Sequence, residues 1–294
     1  MKKTLVIAML CLLSAVMTFA ACGQTASSEF NLINQKPWIY AAREERMVYD
    51  YTMTDRDGNL TASGIYTVTI STTGSETTFN SSLTISYTDG QGTVSMQSRV
   101  VMDATSLYPK YSSKTMTDSL NNTGYELIMN YEELTSSMTF RGEDGPRQSI
   151  TLYEPGQEVY DNEQLYQIVR AADNLGEQDS TGTFSIINGV DTYLNGEVTS
   201  YLMIYSVGES TTVHAEGMEN KYGVNADGNI PCRPVTIKIN SDRSGSGTVV
   251  DYAISQFEGG CARVPVRISR SQYSTSSFDV AYRHTYTLSD YSAI

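Results

Sequence analysis

Alternation of apolar and polar side chains with a period of two runs through most of this chain and narrows its folds to sheet-built ones. In "MVYDYTM" the residues Met47, Tyr49, Tyr51 and Met53 alternate with Val48, Asp50 and Thr52. The segment "SGIYTVTIS" sets Tyr66, Val68 and Ile70 against Ile65, Thr67 and Thr69. "SLTISYT", "TVSMQSRVVM", "ELIMNYEEL", "SMTFRG" and "QSITLYE" carry the rhythm on to Glu154, broken by short Gly/Asp/Asn turns. It resumes in "GTFSIING", "VTSYLMIYSV", "CRPVTIKIN", "GTVVDYAIS", "ARVPVRISR" and "SFDVAYRHTYTL". In the last of these Phe278, Val280, Tyr282, His284, Tyr286 and Leu288 share one face. Closely spaced strands joined by tight turns predict an antiparallel meander. With 21 Tyr against 7 Phe, the strands suit pleated, half-wet surfaces.

One segment departs from this period. "YDNEQLYQIVRAADNLG" spaces Leu165, Ile168, Val169 and Ala172 as a helix does. Asp161 and Gln164 stand three apart as a capping box, and Gly176 is placed to stop the helix. An apolar helical stripe inside β-sequence should lie on a sheet. The expected fold is therefore mainly β: a large curved antiparallel sheet, or half-barrel, with one helix packed across it. Residues 208–231 are polar and turn-rich and are expected to form a long loop or ragged hairpin.

The first 21 residues read as an export leader: Lys2 and Lys3, an apolar run from Leu5 to Phe19, then Ala20-Ala21. The run is short for a permanent bilayer span and is diluted by Ser14 and Thr18. Phe19-Ala20-Ala21-Cys22 resembles a bacterial lipobox, which implies acylation of Cys22 and a lipid-anchored protein facing outside the cytoplasm. An ordinary secretory cut after Ala21 is the alternative. The expected organisation is leader 1–21, lipidated cysteine and tether 22–44, and a single β-rich domain 45–290.

A formal charge of −13 disfavours nucleic acid and anionic bilayers as charge-driven partners. Cys232 and Cys261 are candidates for a disulfide in an oxidising exterior. Neither histidine, His214 or His284, sits at a ligand spacing from a cysteine, so no metal or other cofactor is expected. "DRDGNL" (55–60) lacks the glycine and glutamate positions of an EF-hand calcium loop and reads as a hairpin turn. No Gly-x-Ser-x-Gly elbow exists, and no carboxylate pair stands out, so no enzyme is expected. Met47, Met53, Met96, Met102, Met129, Met138 and Met203 lie on strand faces, and methionine adapts to irregular hollows. Met96, Met102, Met129, Leu165, Ile168 and Val169 are the candidate lining of an apolar site, with plain core packing as the alternative. Arg170 and Arg267 are expected to pair with acidic neighbours.

The order of several short motifs resembles the domain-of-unknown-function family 3108 of exported bacterial proteins. These are Tyr49-Asp50-Tyr51, Gly64-Ile65, Tyr108-Pro109-Lys110-Tyr111-Ser112, Tyr160-Asp161 running on to Arg170, and Val264-Pro265-Val266-Arg267-Ile268. The resemblance implies a fold like that of bacterial lipoprotein carriers, a curved sheet around a helix with an apolar hollow, and it supplies no catalytic residues. The cysteine pair and the length of 208–231 depart from the pattern. The functional expectation is a membrane-anchored lipoprotein holding an apolar ligand or a partner lipoprotein without catalysis. Its rival is a structural or adhesion ectodomain with a solid core, and a hydrolase comes third.

Overall fold

The computed structural model describes residues 30–33, 36, 44–90, 92–143, 149–151, 159–239, 247–273 and 280–293. The leader, Cys22 and Phe278 lie outside them. The alternating segments become strands β1 (Glu44–Asp55), β2 (Leu60–Thr73), β3 (Glu76–Tyr87), β4 (Thr93–Asp103), β5 (Pro109–Asp118), β6 (Thr123–Asn130), β7 (Thr135–Phe140) and β8 (Ser149–Thr151). After them come β9 (Tyr160–Asp161), β10 (Thr181–Ile187), β11 (Ser200–Val207), β12 (Thr211–His214), β13 (Asn229–Ile239), β14 (Thr248–Ala253), β15 (Pro265–Tyr273) and β16 (Val280–Ala293). All sixteen belong to one sheet, in the order 8-7-6-5-4-3-2-1-16-15-14-13-11-10-9, with β12 on β13. Every pairing is antiparallel except β9 with β10. The first and last long strands, β1 and β16, pair near the middle, so two meanders run outward from that seam.

The turn chemistry works as its residues require. At the β1–β2 hairpin, Asp55 accepts hydrogen bonds from the backbone of Asp57 and Asn59, and Gly58 takes a φ of 85°. The polar stretch 208–231 contributes β12 and then a run of turns.

The helical segment differs from its sequence reading. It splits into a 3₁₀ turn (Asn162–Gln164), α1 (Leu165–Arg170) and a second 3₁₀ turn (Asp173–Gly176). The Asp161/Gln164 capping box is present, yet Gly176 does not stop a continuous helix. Ala172 is extended (φ −60°, ψ 136°) because its backbone pairs with Leu32 and Arg263 bonds its carbonyl. Tertiary contact breaks the helix where local propensity would have continued it. Phe30 packs its ring against Phe184 (5.0 Å), Tyr160 and Tyr205. Residues 30–33, which fall within the expected tether 22–44, thus lie against the body of the sheet.

Gln167, Ile168, Val169 and Arg170 are four consecutive buried residues. A helix buried all round sits inside a core, not on a surface. The sheet curls around α1, whose Ile168 and Val169 share one buried core with Met47, Val68 and Met102 from one flank and Val250, Tyr252, Val266 and Ile268 from the other. Tyr49 donates to the carbonyl of Pro265 (2.9 Å), and Tyr252 donates to that of Tyr166 (2.7 Å). The expected structural pairs form. Arg267 meets Asp251 at 2.8 Å. Arg170 grips Glu45 of β1 with two hydrogen bonds of 2.6 and 2.7 Å and also donates to the carbonyl of Ala262 and to Gln167.

A second helix, α2 (Gly189–Asn195), was not foreseen. Asn188 caps it by accepting from the backbone of Val190 and Asp191, and Gly196 ends it in the left-handed region. It rests on β6 so closely that a Cβ at Gly189 would stand 2.3 Å from the sulfur of Met129.

Both partners of the Arg170–Glu45 pair are fully buried. Truncating one strands the other's charge, at a cost of about 3–5 kcal/mol. Arg170→Met should therefore lower the urea midpoint sharply. The Arg170→Met/Glu45→Leu double variant should recover much of the loss, as measured by equilibrium unfolding.

Candidate apolar binding site

Cross-strand register arranges the inner face of the sheet in rows. One row runs Ile70, Phe79, Val100, Ser112, Met129 and Ser136 across β2–β7. The next runs Met47, Val68, Ser81, Ser98, Lys114, Leu127 and Met138. Helix α1 and its flanking turns lie over these two rows. Asp161 accepts from Ser112 (2.5 Å) and Tyr131 (2.6 Å), which ties the edge strand β9 back to β5 and to the loop after β6. Burial, seconded by the charge of Glu163, raises the Asp161 carboxyl above its ordinary range, and the two hydroxyl donors oppose that rise. Glu163 meets Lys114 at 2.6 Å. Burial alone would lift the acid and lower the amine, but their opposite charges reverse both shifts. The contact between helix and sheet is thus partly polar, with Asp161 hydrogen-bonded and Glu163 paired to Lys114. The hollow left there, beside Tyr49, Tyr66, Ser98 and Glu163, measures about 20 Å³. That is room for water, not for an acyl chain.

Beyond the helix the character changes. The next rows are Tyr49, Tyr66, Leu83, Met96, Met116, Tyr125 and Phe140, then Val94, Ile85, Gly64, Tyr51 and Tyr286, then Tyr87, Ala62, Met53 and His284. Tyr51, Ala62, Leu83 and Ile85 are buried and form a separate apolar cluster. Met53, Tyr87, Val94, Met96 and Tyr286 pack on it and remain half-buried. The long strands β1–β4 outrun the short helix, and the far end of the concave face carries this apolar trough, which Tyr166 of α1 approaches only on the side of Tyr66 and Tyr286. The opposite face is polar: Thr67, Thr69, Asn80, Ser82, Gln97, Arg99, Ser113 and Thr115 line an open groove of about 380 Å³.

The six expected lining residues separate accordingly. Met96 lies in the trough. Met102, Ile168 and Val169 are wholly buried in the packed core around α1, and Leu165 packs partly exposed against it. Met129 is buried beneath α2. These five fill space in a solid interior. Met53 joins Met96 there, with Leu83, Ile85, Tyr87 and Val94, whose alternation alone does not mark them as site residues. Cross-strand register, which single-strand alternation does not show, collects them.

Cys232 and Cys261 are both free and buried, and the expected bridge is absent. The first thiol donates to the carbonyl of Ile230 within its own strand, and the second lies in the loop before β15, where its backbone donates to Tyr291. Burial pushes the two thiols up to about 12 and about 11, which keeps them protonated and unreactive. Among the described residues no group of ligating side chains could hold a metal, and no helix is long and apolar enough to cross a membrane.

Among the described residues His284 hydrogen-bonds to neither a serine nor an aspartate. Its Nδ1 lies 2.8 Å from the Tyr51 hydroxyl and its Nε2 lies 3.1 Å from Oε1 of Gln272. That amide oxygen can only accept, so Nε2 carries the proton and Nδ1 receives the tyrosine's. Burial, and then the charge of Arg270, lower the imidazole to about 4.

A β-barrel-like protein of domain-of-unknown-function family 1849 from Brucella abortus superposes with a TM-score of 0.53, covering 86% of this chain and 99% of its own at 10% identity. At that identity the likeness concerns the fold alone, and it confirms a mainly β, barrel-like sheet. A candidate lipoprotein from Parabacteroides distasonis (TM-score 0.27, 11% identity, 88% and 100% covered) is also similar. So is a candidate exported protein of YmcC-like fold from Bacteroides fragilis (TM-score 0.22, 11% identity, 90% and 99% covered). No family model and no curated protein matches the chain.

The half-buried His284 imidazole makes stability depend on pH. In the unfolded chain it binds a proton near the ordinary histidine value of about 6.5, but in the folded protein only near 4. Its contribution is therefore complete above pH 6.5 and is lost as pH falls toward 4. Urea unfolding should show that decline in the wild type. His284→Gln should flatten it without lowering stability as much at pH 8.

Proposed function

We propose that this protein is a non-catalytic module of the cell envelope that seats an apolar ligand in the trough beyond α1. The observation that carries this reading is a stretch of inner face where Met53, Tyr87, Val94 and Met96 stay half-exposed, whereas the same face under the helix is filled. Soluble proteins seldom leave contiguous apolar surface open without a use for it. Methionine, with its flexible thioether, suits a site that must fit a ligand of variable shape. The leader, with Cys22 as an acylated N-terminus, places the module outside the cytoplasm on a lipid anchor. Two acyl chains there would hold firmly where one would not. The relationship to family 3108 belongs to this same proposal. The solid-core adhesion reading draws support from the packing around α1, but it leaves the trough without a role.

An uncharged probe tests the site. N-phenyl-1-naphthylamine should brighten on binding the delipidated protein, and Met96→Asp should cut its affinity at least tenfold at an unchanged melting temperature. Equal binding by the variant would remove the trough from the argument. The anchor is checked separately by metabolic labelling with an alkynyl palmitate, which should mark the wild-type protein and not Cys22→Ala.

A further inference from the structure

The trough has a charged end. Arg270 of β15 lies on the same inner row as Met53 and His284, and is His284's direct cross-strand partner. Its side chain is half-buried. Its positive charge is felt by Tyr51, Tyr286 and His284 on the sheet and by Tyr166 on α1, so the guanidinium stands between the helix and the trough.

What distinguishes Arg270 is the company it lacks. Among the basic side chains directed into the curl, Arg170 has Glu45 and Lys114 has Glu163. Arg270 has no carboxylate partner among the described residues, although the chain carries 33 acidic residues against 20 basic ones. Its neighbours are phenols, a neutral imidazole and the Gln272 amide that holds it. A half-buried guanidinium without a counter-charge is costly to keep and well suited to gripping a planar anion with two hydrogen bonds.

From Arg270 the row continues through His284, Met53 and Ala62 to Tyr87, with Ile85 and Val94 one step along the strands and Met96 beyond. Adjacent strands are spaced at about 4.8 Å, so the four steps from β15 to β3 span about 19 Å. This is the length scale of a long acyl chain, with one anion-binding group at one end and apolar surface along the rest.

We infer that the trough is a fatty-acid site, in which Arg270 takes the carboxylate and the apolar surface from Met53 across to Met96 takes the chain. This rests on the reading of the trough as an apolar binding site and adds to it a head group and a direction. Hydrogen-bond capacity at the head comes from Arg270 itself, because the Tyr51 hydroxyl is already committed to His284. Apolar contact supplies most of the affinity, and the guanidinium decides between an acid and its neutral analogue.

Displacement of bound 11-(dansylamino)undecanoic acid from delipidated protein tests the inference, with palmitate and hexadecanol as competitors. Palmitate should compete at least tenfold better than hexadecanol. Arg270→Gln should bring palmitate down to the alcohol's level, and Arg270→Lys should retain part of the preference, each at the wild-type melting temperature. Met96→Asp should weaken acid and alcohol together. Equal competition by the two ligands, or an Arg270→Gln protein that still prefers the acid, would overturn the assignment of the carboxylate and leave the apolar trough standing. Failure of the dansyl acid and of both competitors to bind wild-type protein would bring down the trough as well.

Discussion

A curved sheet has one inner face to bury, and here a six-residue helix is what fills it. Most of the rest follows from the mismatch in length between α1 and the strands, which run to fourteen residues in β2 and β16. Where the helix lies, Ile168, Val169 and Arg170 are sealed from solvent on all sides and the sheet curls until both flanks touch them. Where the helix ends, the curl remains and the inner face stays apolar, with Met53, Tyr87, Val94 and Met96 half-buried. The solid half and the open half of the concavity are consequences of one short helix in a tall sheet.

Burying a polar helix segment requires matched partners, and the matching explains why the helix sits where it does. Arg170 joins α1 to β1 through Glu45 and to the loop before β15 through the Ala262 carbonyl. Asp161 and Glu163 join its start to β5 through Ser112 and Lys114. A buried charge tolerates little displacement, because every lost hydrogen bond leaves a desolvated group behind. These contacts therefore specify position more than they add stability, and they pin the helix toward one end of the strands. Arg270 stands outside this matching. That contrast separates a charge used for architecture from one available to a ligand.

Several features were readable in advance for concrete reasons. The alternation of Met47, Tyr49 and Tyr51, or of Tyr66, Val68 and Ile70, encodes which face of each strand is buried, and register then aligned those faces. The Asp161/Gln164 pair encoded a helix start through its own hydrogen bonds. Helix α2 was missed although Asn188 and Gly196 mark its ends, because its seven residues carry no apolar stripe strong enough to stand out from adjoining strands. The site was half legible. Methionines on strand faces pointed to an adaptable surface, but Met96 and Met102 look alike in sequence and end in opposite environments.

The sequence by itself determined the strands, their inward faces, the turn positions and the helix start, because each depends on residues close together in the chain. Tertiary structure alone decided the break at Ala172, the docking of Phe30, the separation of Cys232 from Cys261, and the placement of Arg270 beside Met53 and His284. Those outcomes depend on cross-strand register and on how far the sheet curls, which sum contacts between segments tens to hundreds of residues apart.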